Sequence, residues 1–424
     1  MIKLLKEANL YELITIYLSM LFFSGFWFYD YGLTLGILTV GGLLIHIRVT
    51  RRDLRFNKFN IFIIFSLIFI VLLSEYLSYT LLDNWQNFPL KLTIATIAYV
   101  IIAYLFSETI SKSRLKRNFI ICMVIISVFS LISNLIFIIR PSIITLFPTL
   151  TNSSGRDSYF LIFSMVSNLI SDGVQRNQGI FWEPGAFQYF LCLAFILELS
   201  NSRHQPRRWV LILFFITLIS TVSTTGIIIA LLLMAYTLSR HKGKMNIIKS
   251  IIIVLLLFFG LLFLLPTLEG YWEYALVGKI QELFNYEPGT ASGTALGSGS
   301  ARMDALYYPL TEFKKSPLWG LGRSGYQKII QDMGHRNLTF TPVNLFAIHG
   351  PLYGLIVIGG IYNFIKSIFE DKFDTVVIFS ILMLSTTTEA LENDIFILTM
   401  CFIGWKEFSK KYMWDKKKSL VSVN

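Results

Sequence analysis

Residues 176–187 read RNQGIFWEPGAF and lead into an apolar run, Ala186 to Leu199. A proline at the first helical position lacks an N–H that would have no partner there anyway, so Glu183-Pro184 predicts a helix start. The glutamate then lies at the positive end of the helix dipole. Arg176 stands a short distance upstream, and charged residues held at a membrane surface are candidates for a functional site. A purely structural role is the alternative, with Arg176 snorkelling and Glu183 capping the helix.

The composition of the whole chain places this stretch in a membrane protein. Of the 424 residues, 54% are hydrophobic and 15% are charged, and the mean hydropathy is +0.62. A soluble domain is far less apolar than this. We therefore predict an all-α polytopic membrane protein with one integral membrane domain, residues 1–424. The first apolar run lacks a small-residue cleavage site, which favours a retained helix over a removed signal peptide.

The apolar runs predict about twelve transmembrane helices, at about 20 residues per crossing. The runs are 10–28, 31–47, 58–77, 89–107, 118–139, 184–200, 209–222, 225–239, 249–266, 343–365, 373–386 and 390–407. The segment 209–239 could instead form one long helix, unbroken at Ser223-Thr224-Thr225-Gly226. Two crossings there put all the basic stretches on one side, namely 48–58, 112–117, 203–208, 240–249 and 410–418. The positive-inside rule then selects two crossings and places both termini in the cytoplasm.

The net charge of +11 is explained by the same topology. The excess lies mostly in short loops that set membrane orientation, and no nucleic-acid-binding motif accompanies it, so no nucleic-acid partner is predicted. The cysteines, Cys122, Cys192 and Cys401, all lie inside apolar runs without metal-ligand spacing. We interpret them as small buried hydrophobic residues.

Two long segments, about 140–183 and 267–342, lie on the opposite side from the basic stretches. Such long connections are usually functional or disordered. In the first, Tyr159 to Ile170 is an apolar stretch of about three helical turns, too short to span, which we expect at the interface or re-entering the bilayer. The second is predicted to be partly helical, with an amphipathic pattern at 271–284, a Gly/Ser-rich part at 287–300, and a helix starting near Ser300.

The sequence PLWGLGRSGY, residues 317–326, fits the G-x-G-x-x-G spacing of a dinucleotide fingerprint. A Rossmann motif follows a buried strand, and here an outward loop precedes it, so the signal is weak. Glycines also allow backbone N–H groups to approach an anion closely, and Arg323 lies among them, which suggests pyrophosphate. A Gly-rich turn with a solvated arginine is the alternative.

Several stretches together resemble the O-antigen polymerase and ligase superfamily, which includes the Wzy-type polymerases. They are RNQGIFWEPGAF before a helix, the Ser/Thr-Gly element at 223–226, Ser300-Ala301-Arg302, and P-x-W-G-x-G-x-x-x-Y at 317–326. The resemblance covers roughly 176–360. Many ligase-like members carry an arginine where this chain has Thr224-Thr225. The family's histidine near the start of the following helix is not matched in register, since 342–346 reads PVNLF.

The resemblance implies a GT-C-like, metal-independent, inverting glycosyltransferase without a cofactor. Its substrates would be undecaprenyl-diphosphate-linked oligosaccharides in the bacterial inner membrane, and its active site would face the periplasm, as would segments 140–183 and 267–342. A polymerase of this kind moves the growing glycan from its lipid diphosphate onto the terminal sugar of another lipid-linked repeat unit. Membrane lipids and a chain-length-regulating co-polymerase are the other expected partners.

The chemistry of this reaction indicates which residues could serve it. Charge develops on the leaving diphosphate, and guanidinium groups stabilise it without being deprotonated. The predicted diphosphate ligands are Arg176, Arg302, Arg323 and Arg336. The acceptor hydroxyl needs a general base, for which Glu183 and His349 are the candidates. Asp304 is a weaker one, because it stands two residues from Arg302 and could simply pair with it.

Metal binding has little support in the sequence. The chain contains no D-x-D motif, and Glu389 with Glu392-Asn393-Asp394 forms the acidic cluster near a predicted crossing. We interpret these acids as a cap or as sugar-binding groups rather than as a magnesium site.

Two other functions stay open beside the polymerase. A related ligase would transfer the finished glycan to lipid A core, and a non-enzymatic flippase would move it across the membrane. Transporters show corresponding features in two halves of the chain. Here the polar motifs and both long segments have no matching copy in the first 140 residues, which favours an enzyme.

Overall fold

The computed structural model describes most of the chain. The described residues are 9–22, 32–50, 56–81, 90–151, 157–167, 175–201, 206–241, 298–314, 316–332 and 339–421, with isolated positions between 249 and 284. About 80% of these described residues are helical. Arg336 and most of the Gly/Ser-rich segment 287–300 lie outside the described residues, as does nearly all of the predicted amphipathic pattern at 271–284.

The predicted apolar runs are largely helical where they are described, but the run at 390–407 becomes a helix only at Ile395. The helices are α1 (Leu10–Phe22), α2 (Gly32–Thr50), α3 (Lys58–Leu81), α4 (Leu90–Thr109), α5 (Lys112–Ile139), α6 (Pro141–Ile144), α7 (Pro184–Leu199), α8 (Arg208–Ser220), α9 (Thr224–His241), α10 (Ser298–Phe313), α11 (Gly322–Asp332), α12 (Thr341–Ile368), α13 (Lys372–Ser385) and α14 (Ile395–Val421). The run at 249–266 falls outside the described residues except at isolated positions.

Among the described residues, four helices are long and apolar enough to cross a membrane. They comprise Lys58–Ser78, Leu90–Thr109, Lys112–Ile139 and Thr341–Ile368, and five shorter apolar helices accompany them in the described part of the chain. This set of helices is that of a membrane-associated helical protein. The number of twelve crossings and the GT-C architecture stay predictions.

The helix that follows the Glu183-Pro184 start lies at the centre of the structure. Every residue of α7 from Pro184 to Glu198 is buried. A helix that is apolar on all sides is stable only in such a position. Phe190 of α7 stacks on Phe181 with ring centroids 4.2 Å apart, which joins the RNQGIFWEPGAF stretch to the core.

The segment 209–239 forms two helices, as predicted. Helices α8 and α9 are separated by Thr221–Ser223, and Val222 adopts a positive φ of 49° there. An L-residue with a side chain rarely takes this conformation, so it ends α8 sharply. Whether each helix crosses a membrane stays a prediction.

A small antiparallel sheet corrects the interpretation of the apolar stretch at 159–170. Strands β1 (Thr149–Thr151), β2 (Asp157–Phe160) and β3 (Met165–Ser167) pair in the order β1-β2-β3. The expectation of helical turns over Tyr159 to Ile170 is wrong where the chain is described. Aromatic and β-branched residues favour a pleated, half-buried surface, and Ser158 of β2 is tied to the 176–187 stretch by the Gln178 side chain at 2.9 Å.

Helix α12 is broken one third of the way along, and the Gly-rich turn at 316–321 fits into the break. Gly350 has φ 82°, and Pro351 follows it. Proline has no N–H to donate to the carbonyl four residues earlier, which leaves the Ala347 carbonyl without its helical partner. The Leu321 N–H donates to that carbonyl at 2.8 Å. Gly320, with φ 76°, lies directly against the backbone of Ile348 and Gly350.

Basic side chains collect at one end of the helices. Arg48 donates to the Glu108 carbonyl at 2.8 Å, and Lys406 lies 3.3 Å from the Glu108 carboxylate. Asn60, near the start of α3, also donates to Glu108, whereas Ser74 and Glu75 lie close to the other end of α3. The basic residues around Glu108 therefore lie near the start of α3, and Ser74 and Glu75 lie towards its opposite end.

Replacing Gly320 by Ala is expected to lower stability. A methyl group there would overlap backbone atoms of α12, and the left-handed conformation adds about 1–2 kcal/mol for an L-residue. Purified protein should show a clearly lower Tm in detergent. Gly42→Ala in α2 is the matched control, because its Cβ would meet open space and alanine favours a helix. Equal Tm values for the two variants would contradict the close packing at Gly320.

Candidate functional site

The RNQGIFWEPGAF stretch is held in place by Asn177. This buried side chain donates to Ser130 Oγ at 3.1 Å and to Ser220 Oγ at 3.0 Å, and its Oδ1 accepts the Gly179 N–H. Because these contacts join α5, α8 and the stretch itself, the backbone before α7 has a defined course. Arg176 next to it donates from Nε to the Thr221 carbonyl at 3.3 Å.

Glu183 occupies the N-cap position of α7, as predicted, but its side chain makes no capping hydrogen bond. Its Oε1 instead accepts the indole N–H of Trp182 at 3.1 Å. An N-cap side chain stabilises a helix by accepting an N–H of the first turn. Glu183 therefore stands at the N-cap position, but its carboxyl group binds Trp182 and does not cap the helix.

A second carboxyl group meets Glu183 at the start of α7. A Cβ at Gly185 would overlap Glu389 Oε1, so the glycine leaves room for this carboxyl group. Glu389 lies within hydrogen-bond reach of both the Glu183 carboxyl and the Trp182 indole. Burial, followed by the neighbouring charge of Glu183, raises the pKa of Glu389 well above its ordinary value of 4.5. The raised pKa of Glu389 favours its protonated form, which avoids two adjacent negative charges in the pair.

Arg302 reaches this pair from α10. Its Nη1 donates to Thr225 Oγ1 at 3.2 Å in the first turn of α9. Removal from water lowers the pKa of Arg302 and nearby Arg176 adds to the effect, whereas the Glu389 and Glu183 carboxyl groups oppose it. A guanidinium remains protonated under such shifts. A cation is thus held beside the carboxyl pair.

The turn that carries Glu389 is fixed from two sides. Gln188 of α7 donates to the Ser385 carbonyl and to Thr388 Oγ1, both at 2.9 Å. The Thr341 hydroxyl donates to the Glu389 carbonyl and accepts the Leu391 N–H, both at 2.7 Å. The Glu389 carboxyl is positioned by these contacts rather than by a regular helix.

These residues form one site with an excess of positive charge. We call it the carboxyl-pair site, and it consists of Arg176, Trp182, Glu183, Thr225, Arg302 and Glu389. Two guanidinium groups lie beside a carboxyl pair in which burial favours the neutral form of Glu389. The arrangement can bind an anion through the arginines and can accept a proton at Glu183.

Arg323 belongs to a different group of residues. Its Nη1 forms an ion pair with Glu392 Oε1 at 3.0 Å, with only 14% of the Arg323 side chain exposed. Glu75 of α3 accepts the Arg323 N–H at 2.6 Å and the Ser324 hydroxyl at 3.2 Å. A carboxylate at this place satisfies the N-terminus of α11. Glu392 thus pairs with the Arg323 guanidinium, and Glu75 accepts the backbone N–H of the same residue.

His349 lies beside Arg323 rather than in the carboxyl-pair site. Its ring is buried in α12 directly before the helix break, and its Nδ1 is 3.0 Å from Ser74 Oγ. We call this second group the Arg323 cluster, and it consists of Ser74, Glu75, Arg323, His349 and Glu392. The two groups of residues meet at the turn between α13 and α14, which carries both Glu389 and Glu392.

The backbone N–H groups of the Gly-rich turn have protein acceptors in this structure. Gly320 donates to the Ser316 carbonyl, Leu321 to the Ala347 carbonyl and Arg323 to Glu75. The glycines therefore serve the close approach of the turn to α12, and the anion-binding interpretation of these N–H groups finds no support in their contacts.

Four residues that form or support the two groups of residues carry little signal in the sequence. Glu389 stood in an acidic cluster interpreted as a cap or as sugar-binding acids, and Glu75, Asn177 and Gln188 were not singled out. A glutamate inside the apolar run 58–77 was the one available signal for Glu75, since ionised side chains are rare there.

The cysteines are free and buried, as predicted. Over the described ranges, no three His, Cys, Asp or Glu side chains are grouped closely enough to hold a metal ion together. Neither a protein-family model nor a curated protein matches this sequence significantly.

The proton on Glu389 predicts a specific pH dependence of stability. The folded protein keeps this proton above pH 4.5, where the unfolded chain loses it, so stability falls as the pH rises towards the raised pKa. The slope should approach about 1.4 kcal/mol per pH unit. Thermal unfolding between acidic and neutral pH should show this slope in the wild type and a flatter profile in Glu389→Gln, which mimics the protonated acid.

The exposed Glu370 provides the control for this measurement. Glu370→Gln should keep the wild-type profile, because its carboxyl group is not buried against another acid. An unchanged slope in Glu389→Gln would show that Glu389 is not the group that holds the proton.

Proposed function

We propose that this protein is a membrane glycosyltransferase that polymerises undecaprenyl-diphosphate-linked oligosaccharide repeat units. Its resemblance to the O-antigen polymerases implies this reaction. The observation that carries the proposal is the meeting of two separate motifs beside Glu389: Arg176 and Glu183 come from RNQGIFWEPGAF, and Arg302 comes from Ser300-Ala301-Arg302. A reaction that expels a diphosphate and deprotonates a hydroxyl group requires cations and a base side by side.

The proposed reaction uses the two arginines at the leaving group. The acceptor hydroxyl oxygen attacks the anomeric carbon of the growing glycan, and the bond from that carbon to the diphosphate oxygen breaks. The electron pair of this bond stays on the lipid diphosphate. Arg176 and Arg302 stabilise the charge, which is strongest where water is excluded. No metal ion takes part in this proposal, because the guanidinium groups supply the positive charge.

Glu183 is the proposed base. The proton of the acceptor hydroxyl passes to the Glu183 carboxylate as the new glycosidic bond forms. Glu389 keeps its own proton and donates towards Glu183, which prevents two adjacent negative charges and orients the receiving carboxylate. Trp182 holds the other side of the same group through its indole N–H.

A polymerase fits this chain better than a ligase on the residues available. Many ligase-like members of the superfamily that the chain resembles carry an arginine in the Ser/Thr element, where this chain has threonine. In this structure the guanidinium beside Thr225 comes from Arg302 of α10 instead. The cation is therefore supplied from the segment 267–342, which the resemblance assigns to the periplasmic face.

Replacing Arg302 by Lys is expected to reduce polymerisation strongly. Lysine keeps the charge but loses the fork that can bind two oxygens, and loss of one such stabilising group lowers kcat about 10²–10³-fold. Proteoliposomes supplied with lipid-linked repeat units should show a ladder of glycan lengths for the wild type and almost none for Arg302→Lys. The exposed Lys314, just after α10, provides the control Lys314→Ala, which should keep the ladder.

The same assay separates the three functional classes. A ladder supports the polymerase, transfer of glycan to a different acceptor supports the ligase, and translocation without new glycosidic bonds supports the flippase. Extension should continue in EDTA, and its loss there would contradict the metal-independent mechanism.

Glu183→Gln tests the proposed base. Removing general-base catalysis lowers the rate about 10²–10⁴-fold, whereas glutamine preserves the size of the side chain. Binding of the lipid-linked substrate should be retained while extension is lost. The ladder assay and a binding measurement on the same preparation check this, and normal extension by the variant would remove Glu183 from the chemistry.

A further inference from the structure

The Arg323 cluster contains polar atoms that lack a hydrogen-bond partner within the described parts of the chain. They are Arg323 Nη2, His349 Nε2 and Glu392 Oε2, together with the hydroxyl group of the neighbouring Tyr353. His349, Tyr353 and Glu392 are each at least 95% buried. Buried polar atoms without partners are strongly unfavourable, and several in one place point to a partner outside the chain, a bound ligand or water.

These atoms lie close to one another. Arg323 and Glu392 form the 3.0 Å ion pair, and the rings of His349 and Tyr353 are 4.7 Å apart. Arg323 interacts electrostatically with both rings. Donors and acceptors therefore lie close together beside the first half of α12.

The charges of the cluster select the kind of ligand. The Arg323 guanidinium is already paired with Glu392 at 3.0 Å, so the cluster offers a diphosphate no excess positive charge, in contrast to the carboxyl-pair site. A neutral polyhydroxyl compound fits the free atoms. One hydroxyl group can accept from Arg323 Nη2 and donate to Glu392 Oε2, and a second can pair with the Tyr353 hydroxyl or with His349.

The position of the cluster supports a binding role independently. It adjoins the break at Gly350 in a helix long enough to cross a membrane. Irregular backbone in such helices is tolerated where it is covered by protein or lines a site, and broken helices commonly form substrate sites. The break here is covered by the turn that leads directly to Arg323.

We propose that the Arg323 cluster and Tyr353 form a hydroxyl-binding subsite for a neutral sugar ring of the lipid-linked oligosaccharide. The inference rests on the proposed function, and it gives Arg323 and His349 a role in sugar recognition in place of diphosphate binding and base catalysis. The turn between α13 and α14 then links the two steps of recognition, because Glu389 contacts the reacting centre and Glu392 contacts a sugar.

Binding of two probes tests this subsite. The full-length protein in nanodiscs is given undecaprenyl diphosphate or a lipid-linked repeat unit extracted from the native host. Tyr353→Phe removes one hydroxyl group that has no partner in the described structure, so it should fold normally with an unchanged Tm. Its affinity for the repeat unit should fall about tenfold, the effect of one lost hydrogen bond to a buried group, with unchanged affinity for undecaprenyl diphosphate. Glu392→Gln should act in the same direction.

Tyr362→Phe is the matched control, since Tyr362 lies on the same helix and packs against Phe379. It should bind both probes as the wild type does. Wild-type affinity for the repeat unit in Tyr353→Phe and Glu392→Gln would overturn the subsite, as would an equal loss for both probes, which would return Arg323 to the diphosphate. If the wild-type protein binds neither probe, the proposed function fails together with the subsite.

Discussion

The contact between the Glu183 and Glu389 carboxyl groups is the interaction on which the site depends. Two acids can lie this close in a place with little water only if one of them stays protonated and a cation lies nearby. Gly185 has no side chain and so leaves space for the Glu389 carboxyl group, and Arg302 is the nearby cation. The backbone before α7 is held by Asn177, and the backbone around Glu389 is held by Gln188 and Thr341. Nearly every polar contact at this end of α7 serves to bring the two carboxyl groups together.

The broken helix α12 has a comparable effect on the second group of residues. Pro351 removes one helical hydrogen bond, and the freed Ala347 carbonyl accepts an N–H from the Gly-rich turn. That turn leads into α11, whose first residues bring Arg323 to Glu392 and place its N-terminus on Glu75. The break in α12 is thus where the Gly-rich turn attaches. The buried Glu75 of the apolar helix α3 is paired as a result, because it accepts the Arg323 N–H.

Particular residues show how far the sequence could be interpreted. The apolar runs predicted most of the described helices, though not α6 or α11, and the Glu183-Pro184 pair predicted the start of α7 to the residue. The strands at 149–167 were missed, because a short apolar stretch looks alike as a strand and as a helix segment. Arg323 was grouped with Arg176 and Arg302 by residue type, whereas its contacts with Glu392 and Glu75 separate it from them. The sequence around an arginine does not show which carboxylate, distant in the chain, its guanidinium contacts in the folded protein.

The sequence by itself determined the helical, membrane-associated character of the protein and which stretches carry charge in apolar surroundings. These properties follow from composition and periodicity. The hydrophobic driving force is roughly proportional to buried apolar area, and each residue type contributes its own apolar area whatever its distant neighbours are. Only the tertiary structure decided that Glu389 is the partner of Glu183, that Glu75 receives α11, and that the arginines fall into two groups. Those pairings join residues far apart in the chain, and their charge states depend on the burial and neighbours that the folded chain alone creates.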